Sequence, residues 1–355
     1  MTPPTTDSHM YQTMMRQPDE IARLIRHEWE QADAAASMLA GVDRATLVGI
    51  GTSYHAAMVA SWLLNAAGLP SRAVSSFDFA TYPEFFPVRA SDAVIILAHT
   101  GVKSYSRLSL ERAVELGATV LSVGSTTAEH PGSQLILRTV EREKSAAYTA
   151  SHLAAMTVLA QVSSRLGEHH AESQTSEFRT TLEALPAQLE SVLNRGSELE
   201  SIAMYASEQR VYAAGAGPNE ATVLELVIKA REAAYGHVDA LAAEQFLHGP
   251  MVAVNEGDVA MMVHVSGTGA DRVGQIAHVL EGIGARLLVV GSPVDLVSEA
   301  TTFLLPELPE LLSPLLVVVP MQMLAYQMAA VKSINPDTFR RDDERYKMAF
   351  GRLVL

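Results

Sequence analysis

Short apolar runs that stop at glycine turns, each followed by helical spacing, recur along the chain. Thr46-Leu47-Val48-Gly49-Ile50-Gly51-Thr52-Ser53 reads as a strand running into a glycine turn, and a helical pattern follows over residues 54–67. Val211-Tyr212-Ala213-Ala214-Gly215-Ala216-Gly217-Pro218 repeats it, with a helical pattern over residues 221–234. Gly51 and Gly217 are 166 positions apart. The strand of residues 93–97 ending at Thr100-Gly101 is echoed by residues 259–265 ending at Ser266-Gly267, again 166 positions later. The segment 117–125 is echoed by 284–292 at an offset of 167. Three landmarks at nearly constant spacing indicate an internal duplication of a strand-helix unit.

Continuous apolar strands such as Val94-Ile95-Ile96-Leu97 and Leu287-Leu288-Val289-Val290 suit a parallel sheet covered by helices on both faces. The pattern therefore predicts an α/β fold of two tandem, doubly wound, flavodoxin-like domains, each a three-layer αβα sandwich. The expected division is an N-terminal helical segment over 1–40, with one helix near 18–38. A first domain over 41–165, a helical connector over 166–205, a second domain over 206–334 and a charged tail over 335–355 follow. Residues 311–331 carry no charge and raise the question of a membrane span. They contain Pro314, Pro320, Gln322, Tyr326 and Gln327, and read instead as a buried strand over 315–319 turning into a buried helix.

Composition narrows the partners. The 355 residues are 48% hydrophobic, with 26 Lys+Arg against 40 Asp+Glu and a formal net charge of −14. No basic run is present, so nucleic acid and anionic membranes are not expected as partners. Cysteine is absent, which removes disulfides, thiolate metal sites and a cysteine nucleophile. The first residues are polar and do not resemble a secretory signal, so a cytoplasmic location is expected. The twelve histidines are scattered, and His169-His170 has no third ligand near it in sequence, so neither a metal nor another cofactor is expected.

Glycine turns at strand ends let backbone N–H groups and helix N-termini face an anion. Gly49-Ile50-Gly51-Thr52-Ser53 lacks the third glycine of a dinucleotide fingerprint, since position 54 is Tyr and its counterpart in the second turn is Glu220. Neither turn carries the lysine of a triphosphate loop. A smaller anion such as a sugar phosphate remains, held by backbone and by Thr52 and Ser53. A purely structural turn fits the same residues equally well. Glu225, Lys229 and Glu232 fall on one helix face, and His248-Gly249-Pro250 presents an imidazole at a turn. Taken alone, these read first as a solvated ion-paired helix face and a satisfied loop histidine.

Leu224-Glu225-x-x-x-Lys229-x-x-Glu232-x-x-Tyr235-x-His237, continued by His248-Gly249-Pro250, resembles the SIS (sugar isomerase) domain family. The likeness is to the isomerase half of glucosamine-6-phosphate synthase and to the related amino-sugar phosphate deaminases and fructosamine deglycases. It extends over about residues 10–350, including the opening segment 10–18, the turn Gly49-Ile50-Gly51-Thr52-Ser53-Tyr54 and the segment 314–325. It implies that Glu232 is the base that moves a proton through an enediol or enolamine, that His248 opens the sugar ring, and that Lys229 lies beside the sugar. Lys347 is the tail lysine that could reach the open-chain carbonyl, with the tail lying over the active site. Gly51, Thr52, Ser53, His99, Thr100, Gly101, Lys103, Ser104 and Glu225 are the implied substrate-binding residues. The expected partner is a sugar phosphate or amino-sugar derivative, in a homodimer whose His-Gly-Pro loop completes the neighbouring subunit's site.

Two departures bear on activity. The family's phosphate loop reads Ser-Gln-Ser-Gly-Glu-Thr, whereas here Ala98-His99-Thr100-Gly101-Val102-Lys103 puts Ala98 and Lys103 where hydroxyls stand. Lys103 could restore anion binding as a point charge. The chain also has no cysteine with which to release ammonia from glutamine. The expected function is a sugar-phosphate or amino-sugar-phosphate isomerase or deaminase (deglycase) without glutaminase activity. The alternative is a catalytically silent phosphosugar sensor, and a third class is a partner-binding protein.

Overall fold

The computed structural model describes residues 7–352. Three helices, α1 (His9–Met15), α2 (Gln17–His27) and α3 (Trp29–Leu39), precede β1 (Ala45–Gly49). The first copy continues through α4 (Thr52–Ala66), β2 (Ser71–Ser75), α5 (Ser76–Thr81), β3 (Ala93–Leu97) and α6 (Ser104–Glu115). It closes with β4 (Thr119–Gly124), β5 (Leu135–Arg138) and α7 (Ala150–His170). After α8 (Phe178–Leu193) and α9 (Glu200–Glu208), the second copy runs β6 (Val211–Gly215), α10 (Asn219–Ala234), β7 (Val238–Ala242) and α11 (Ala243–Leu247). It ends with β8 (Val259–His264), α12 (Ala270–Ile283), β9 (Arg286–Gly291), β10 (Thr301–Leu304) and α13 (Pro314–Val331), and α14 (Glu344–Phe350) follows.

Both sheets are five-stranded and parallel throughout, in the orders β2-β1-β3-β4-β5 and β7-β6-β8-β9-β10. The order is the same in each copy. Helices lie on both faces, so the fold is a tandem pair of α/β three-layer repeats. The topological switch falls between β1 and β3 in one sheet and between β6 and β8 in the other, where open α/β sheets bind ligands. In the first sheet Val48, Val94, Ile96 and Val120 pack with Phe79 and Leu110 on one face, while Leu47, Ile95 and Leu121, also buried, point to the other. Burial on both faces explains why these strands read as unbroken apolar runs.

The described residues form two compact units, one holding residues 17–143, 150–186 and 340–352 and the first sheet, the other 7–16, 144–149 and 187–339 and the second sheet. The division falls within α8, whose Leu182, Leu185, Leu189 and Leu193 are all buried.

Two expected elements differ. The helix expected near 18–38 is two helices, α2 and α3, separated at Glu28 with φ −110° and ψ 17°. The strand expected over 315–319 is helical: α13 begins at Pro314 and runs through Pro320. Leu315, Leu316, Val317, Val318 and Val319 are all buried, so the helix shows no amphipathic period to distinguish it from a strand. Proline suits the first turn, and an internal proline removes one backbone hydrogen bond rather than ending the helix. Among the described residues, the helical segment 310–331 is long and apolar enough to cross a membrane, and most of it is buried inside the protein.

Candidate active site

Helix α10 carries the densest charge cluster. Its Ala- and Leu-rich positions pack inward, and it ends where Tyr235 adopts a left-handed conformation (φ 48°) and the Gly236 N–H returns to Ala230 O at 2.9 Å. Spacings of four and three residues stack Glu225, Lys229 and Glu232 on one face. Lys229 Nζ lies 2.6 Å from Glu232 Oε2 and 3.5 Å from Glu225 Oε1. The Glu225 and Lys229 side chains are 0% and 1% exposed, that of Glu232 21%. The two carboxylates share one ammonium, and Glu232 is the acid that reaches solvent. A partly exposed carboxylate oriented by a buried ammonium is suited to taking and returning a proton.

His248 lies on a different element. The short helix α11 ends at it, and Gly249, at φ 122°, turns the chain into the 3-10 turn Pro250–Ala253. His248 Nε2 is 2.9 Å from Glu244 Oε1, and the ring is largely exposed. Arg272 grips the same carboxylate, with Nε 2.7 Å from Oε2 and Nη2 3.0 Å from Oε1. Hydrogen bonds from Arg272 and then His248 hold the Glu244 carboxyl below its ordinary range. Glu244 and Arg272 escaped the sequence reading, although Glu244 stands four residues before His248.

The first glycine turn belongs to the other unit. Gly51 has φ 58° and ψ −132°, a conformation open to glycine, and a Cβ at Gly49 would lie 2.6 Å from backbone atoms of Ser53. Gly215 repeats the constraint, with Asn219 O 2.5 Å from a Cβ. The turns differ in charge: Thr52 and Ser53 start α4 half-buried, while Glu220 lies in the first turn of α10, where burial pushes its carboxyl up.

The loop after β3 is strained and tied down. Gly101 has φ 90° and its N–H bonds Ala98 O at 3.1 Å, Val102 N–H bonds Glu129 O at 3.3 Å, and Ser104 has φ 40°. Lys103 caps α6 with its backbone, donating its N–H to Ser106 Oγ at 2.8 Å, and its side chain is exposed. Burial lowers the His99 imidazole to about 4 against the raising effect of a hydrogen bond to the Glu141 backbone, and Arg142 lowers it further. His130, whose Nε2 is 3.0 Å from Ala98 O, is likewise lowered by burial to about 4. Both rings are neutral at pH 7. A cavity of about 500 Å³ opens beside this loop, lined by Thr100, Gly101, Arg107, Ser125, Thr127 and Arg142 among others.

The equivalent loop after β8 is filled by the chain itself. Thr268 and Gly269 donate their N–H groups to the Glu310 carboxylate at 2.9 and 3.4 Å, and Ser266 Oγ donates to Glu307 Oε1 at 2.7 Å. Lys347 lies on α14, exposed, 3.9 Å from Glu344. Among the described residues no group of three or more His, Asp or Glu could hold a metal ion.

The SIS domain family model matches residues 38–165 and 204–332. A glutamine–fructose-6-phosphate aminotransferase (isomerizing) of Pyrococcus horikoshii is 27% identical over 334 residues, covering 92% of this chain and 56% of that protein. The chain thus spans about half the length of the curated relatives it matches. Among solved structures, the C-terminal domain of glucosamine-fructose-6-phosphate aminotransferase from Francisella tularensis superposes with TM-score 0.84 at 18% identity, over 93% of this chain and 98% of that one. Tagatose-6-phosphate ketose/aldose isomerase from Escherichia coli superposes with TM-score 0.76 at 19% identity, covering 95% and 97%.

Proposed function

This chain belongs to the SIS domain family, and on that footing we propose that it is a sugar-phosphate or amino-sugar-phosphate isomerase or deaminase (deglycase). The observation that carries this reading is the Lys229–Glu232 contact, which orients a solvent-reaching carboxylate against a buried ammonium. Glu232 takes the proton from one carbon of the open-chain sugar and returns it to the next through an enediol or enolamine. His248 serves ring opening, with Glu244 and Arg272 fixing the imidazole, and Glu225 positions Lys229. In the other unit, the first glycine turn and the 98–104 loop are the segments suited to binding an anion. Glutamine hydrolysis is not assigned to this chain, which has no cysteine. The molecule acts as a homodimer.

A phosphosugar sensor without turnover is the second reading, favoured by Ala98 and Lys103 in place of loop hydroxyls. A thermal-shift screen of sugar phosphates and their unphosphorylated parents, followed by isomer and ammonia assays on the hits, separates the two. Turnover of a stabilising ligand supports the enzyme, and stabilisation without turnover by any hit supports the sensor.

A further inference from the structure

A cavity of about 700 Å³ opens between α1, α9 and α13, wholly inside the unit that holds the second sheet. Helical spacing puts Met323, Tyr326, Gln327, Ala330 and Val331 on one stripe of α13, and that stripe forms one wall. Met328 and Lys332 turn instead to the end of α10. A Cβ at Gly236 would lie 2.9 Å from Met328 Cε, and Lys332 Nζ donates to Ala234 O at 3.1 Å. The described lining includes no residue of α10 or α11, so the cavity is separate from the candidate active site. Its walls are largely apolar and adaptable. Tyr11 of α1 lies with its ring 5.4 Å from that of Tyr326, at 40°, and Met14, Met204 and Met323 supply polarizable thioethers.

The polar groups of the lining are suited to one kind of ligand. The Gln327 amide nitrogen donates to Gly196 O, and with a carbonyl as partner the amide cannot be turned round. Gln327 Oε1 is then left buried without a hydrogen-bond partner, an acceptor in need of a donor. Among the described residues that line the cavity, Glu200 alone is charged, and no ion pair or hydrogen bond engages its side chain. Arg195, the one basic residue of the 193–204 segment, is held by Glu198, with Nη2 2.7 Å from Oε2. An unpaired acceptor, a free carboxylate and two aromatic rings together match a donor that carries positive charge on an apolar body. A phosphate or carboxylate would meet like charge here. The net charge of −14 favours cations at the surface as a whole, and a volume of about 700 Å³ falls in the range of small-ligand sites.

We propose that this cavity binds an organic ammonium ion, a small aromatic or aliphatic body ending in a protonated amine. Glu200 and Gln327 Oε1 are its polar partners, and the Tyr11 and Tyr326 rings and the methionines pack against its body. The site is additional to the sugar-phosphate reading and does not depend on it.

Fluorescence titration with dansylcadaverine, an aromatic body on a short alkyl chain ending in an ammonium, tests it. Two probes share that body: the N-acetylated amine, which is neutral, and dansyl-aminohexanoate, which ends in a carboxylate. Wild type should bind the ammonium roughly five- to fiftyfold more tightly than the neutral probe, and the carboxylate more weakly still. Glu200→Gln, at an exposed position, should cut the ammonium's advantage by about two- to fivefold. Ala330→Phe puts a ring into the open volume and should weaken all three probes by about tenfold or more. Equal affinity for the three probes, or a preference for the carboxylate, overturns the cation assignment. Absence of binding at millimolar probe overturns the site, as does ammonium binding that is unchanged in a natively melting Ala330→Phe. Should Ala330→Phe melt early, Glu200→Gln decides, and an unchanged preference for the ammonium in that variant overturns the site.

Discussion

Lys229 Nζ sits 2.6 Å from Glu232 Oε2, one turn apart on the same face of α10, so the carboxylate that meets solvent is oriented from behind by a buried cation. Replacing Glu232 with Gln keeps the shape and leaves an oxygen that can still accept from Lys229. The group proposed to transfer the proton is gone. Turnover should fall by roughly two to four orders of magnitude while ligand-induced stabilisation persists. Steady-state rates beside thermal shifts measure both, and a variant with wild-type turnover would move the base elsewhere.

Lys229 itself has a second duty. Glu225 is fully buried with its Oε1 3.5 Å from Lys229 Nζ. Lys229→Met takes that ammonium from a buried carboxylate, and breaking a buried ion pair typically costs about 3–5 kcal/mol. Chemical denaturation should show a loss of this order, whereas Glu232→Gln, altering a partly exposed group, should unfold near the wild-type midpoint. Equal stabilities for all three proteins would show that the cluster is not structural.

The contrast between these residues shows what could be read without a structure. The i, i+4, i+7 spacing of Glu225, Lys229 and Glu232 is local, so the helix period alone stacks them. The inner strands β1, β3, β4, β6, β8 and β9 were likewise legible, because burial on both faces leaves a continuous apolar run beside a glycine turn. The edge strands were not. Ser71–Ser75 and Thr301–Leu304 are short and half-exposed, and their polar residues carry no strand signature. Nor could spacing reveal that Arg272 holds Glu244 across 28 positions or that Glu310 fills the loop 42 positions before it. Those contacts depend on which strands are neighbours, which local periodicity does not encode.

Two buried imidazoles near Ala98 make the protein acid-sensitive. In the unfolded chain each ring takes up its proton near 6.5, but in the folded protein His99 and His130 do so only near about 4, because burial disfavours the charged form. Between those values the unfolded state binds more protons, so this stabilisation is complete above about pH 6.5 and is lost as pH falls through about 4. The displacement corresponds to an order of 3 kcal/mol per ring. His130→Gln, which retains an N–H donor for Ala98 O, should show a shallower fall of melting temperature between pH 7 and 4. An unchanged slope would assign the acid sensitivity to other groups.

Glu310 is expected to hold the second copy's loop in place. Its carboxylate accepts from Thr268 and Gly269 at the N-terminus of α12, where negative charge is favoured. A Cβ at Gly267 would lie 2.4 Å from this carboxylate, so the loop is moulded around it. Glu310→Ala should lower stability by about 1–3 kcal/mol, as for loss of charged hydrogen bonds. Faster amide exchange confined to the 266–270 loop and the first turn of α12 would accompany it. A variant as stable as wild type, with unchanged exchange there, would reduce Glu310 to a bystander.

The position of His248 bears on assembly. Its ring is 71% exposed and paired to Glu244 at 2.9 Å, just before the turn that Gly249 and Pro250 begin. An exposed imidazole on such a turn is placed to serve the site of a second copy in the homodimer proposed above. His248→Ala should then slow closed-ring substrates more than open-chain analogues, since ring opening is the step proposed for it. The stronger test mixes two impaired proteins, Glu232→Gln and His248→Ala, and assays them on a closed-ring substrate. If His248 acts across the dimer, hybrid dimers carry one site with both wild-type residues and one with neither. Subunit exchange at a one-to-one ratio makes half the dimers hybrid, so roughly a quarter of wild-type activity should return. If both residues serve the same protomer's site, every site in the mixture lacks one of them and no activity returns. A mixture that stays impaired after exchange has been demonstrated by mass-tagged subunits would return His248 to its own subunit.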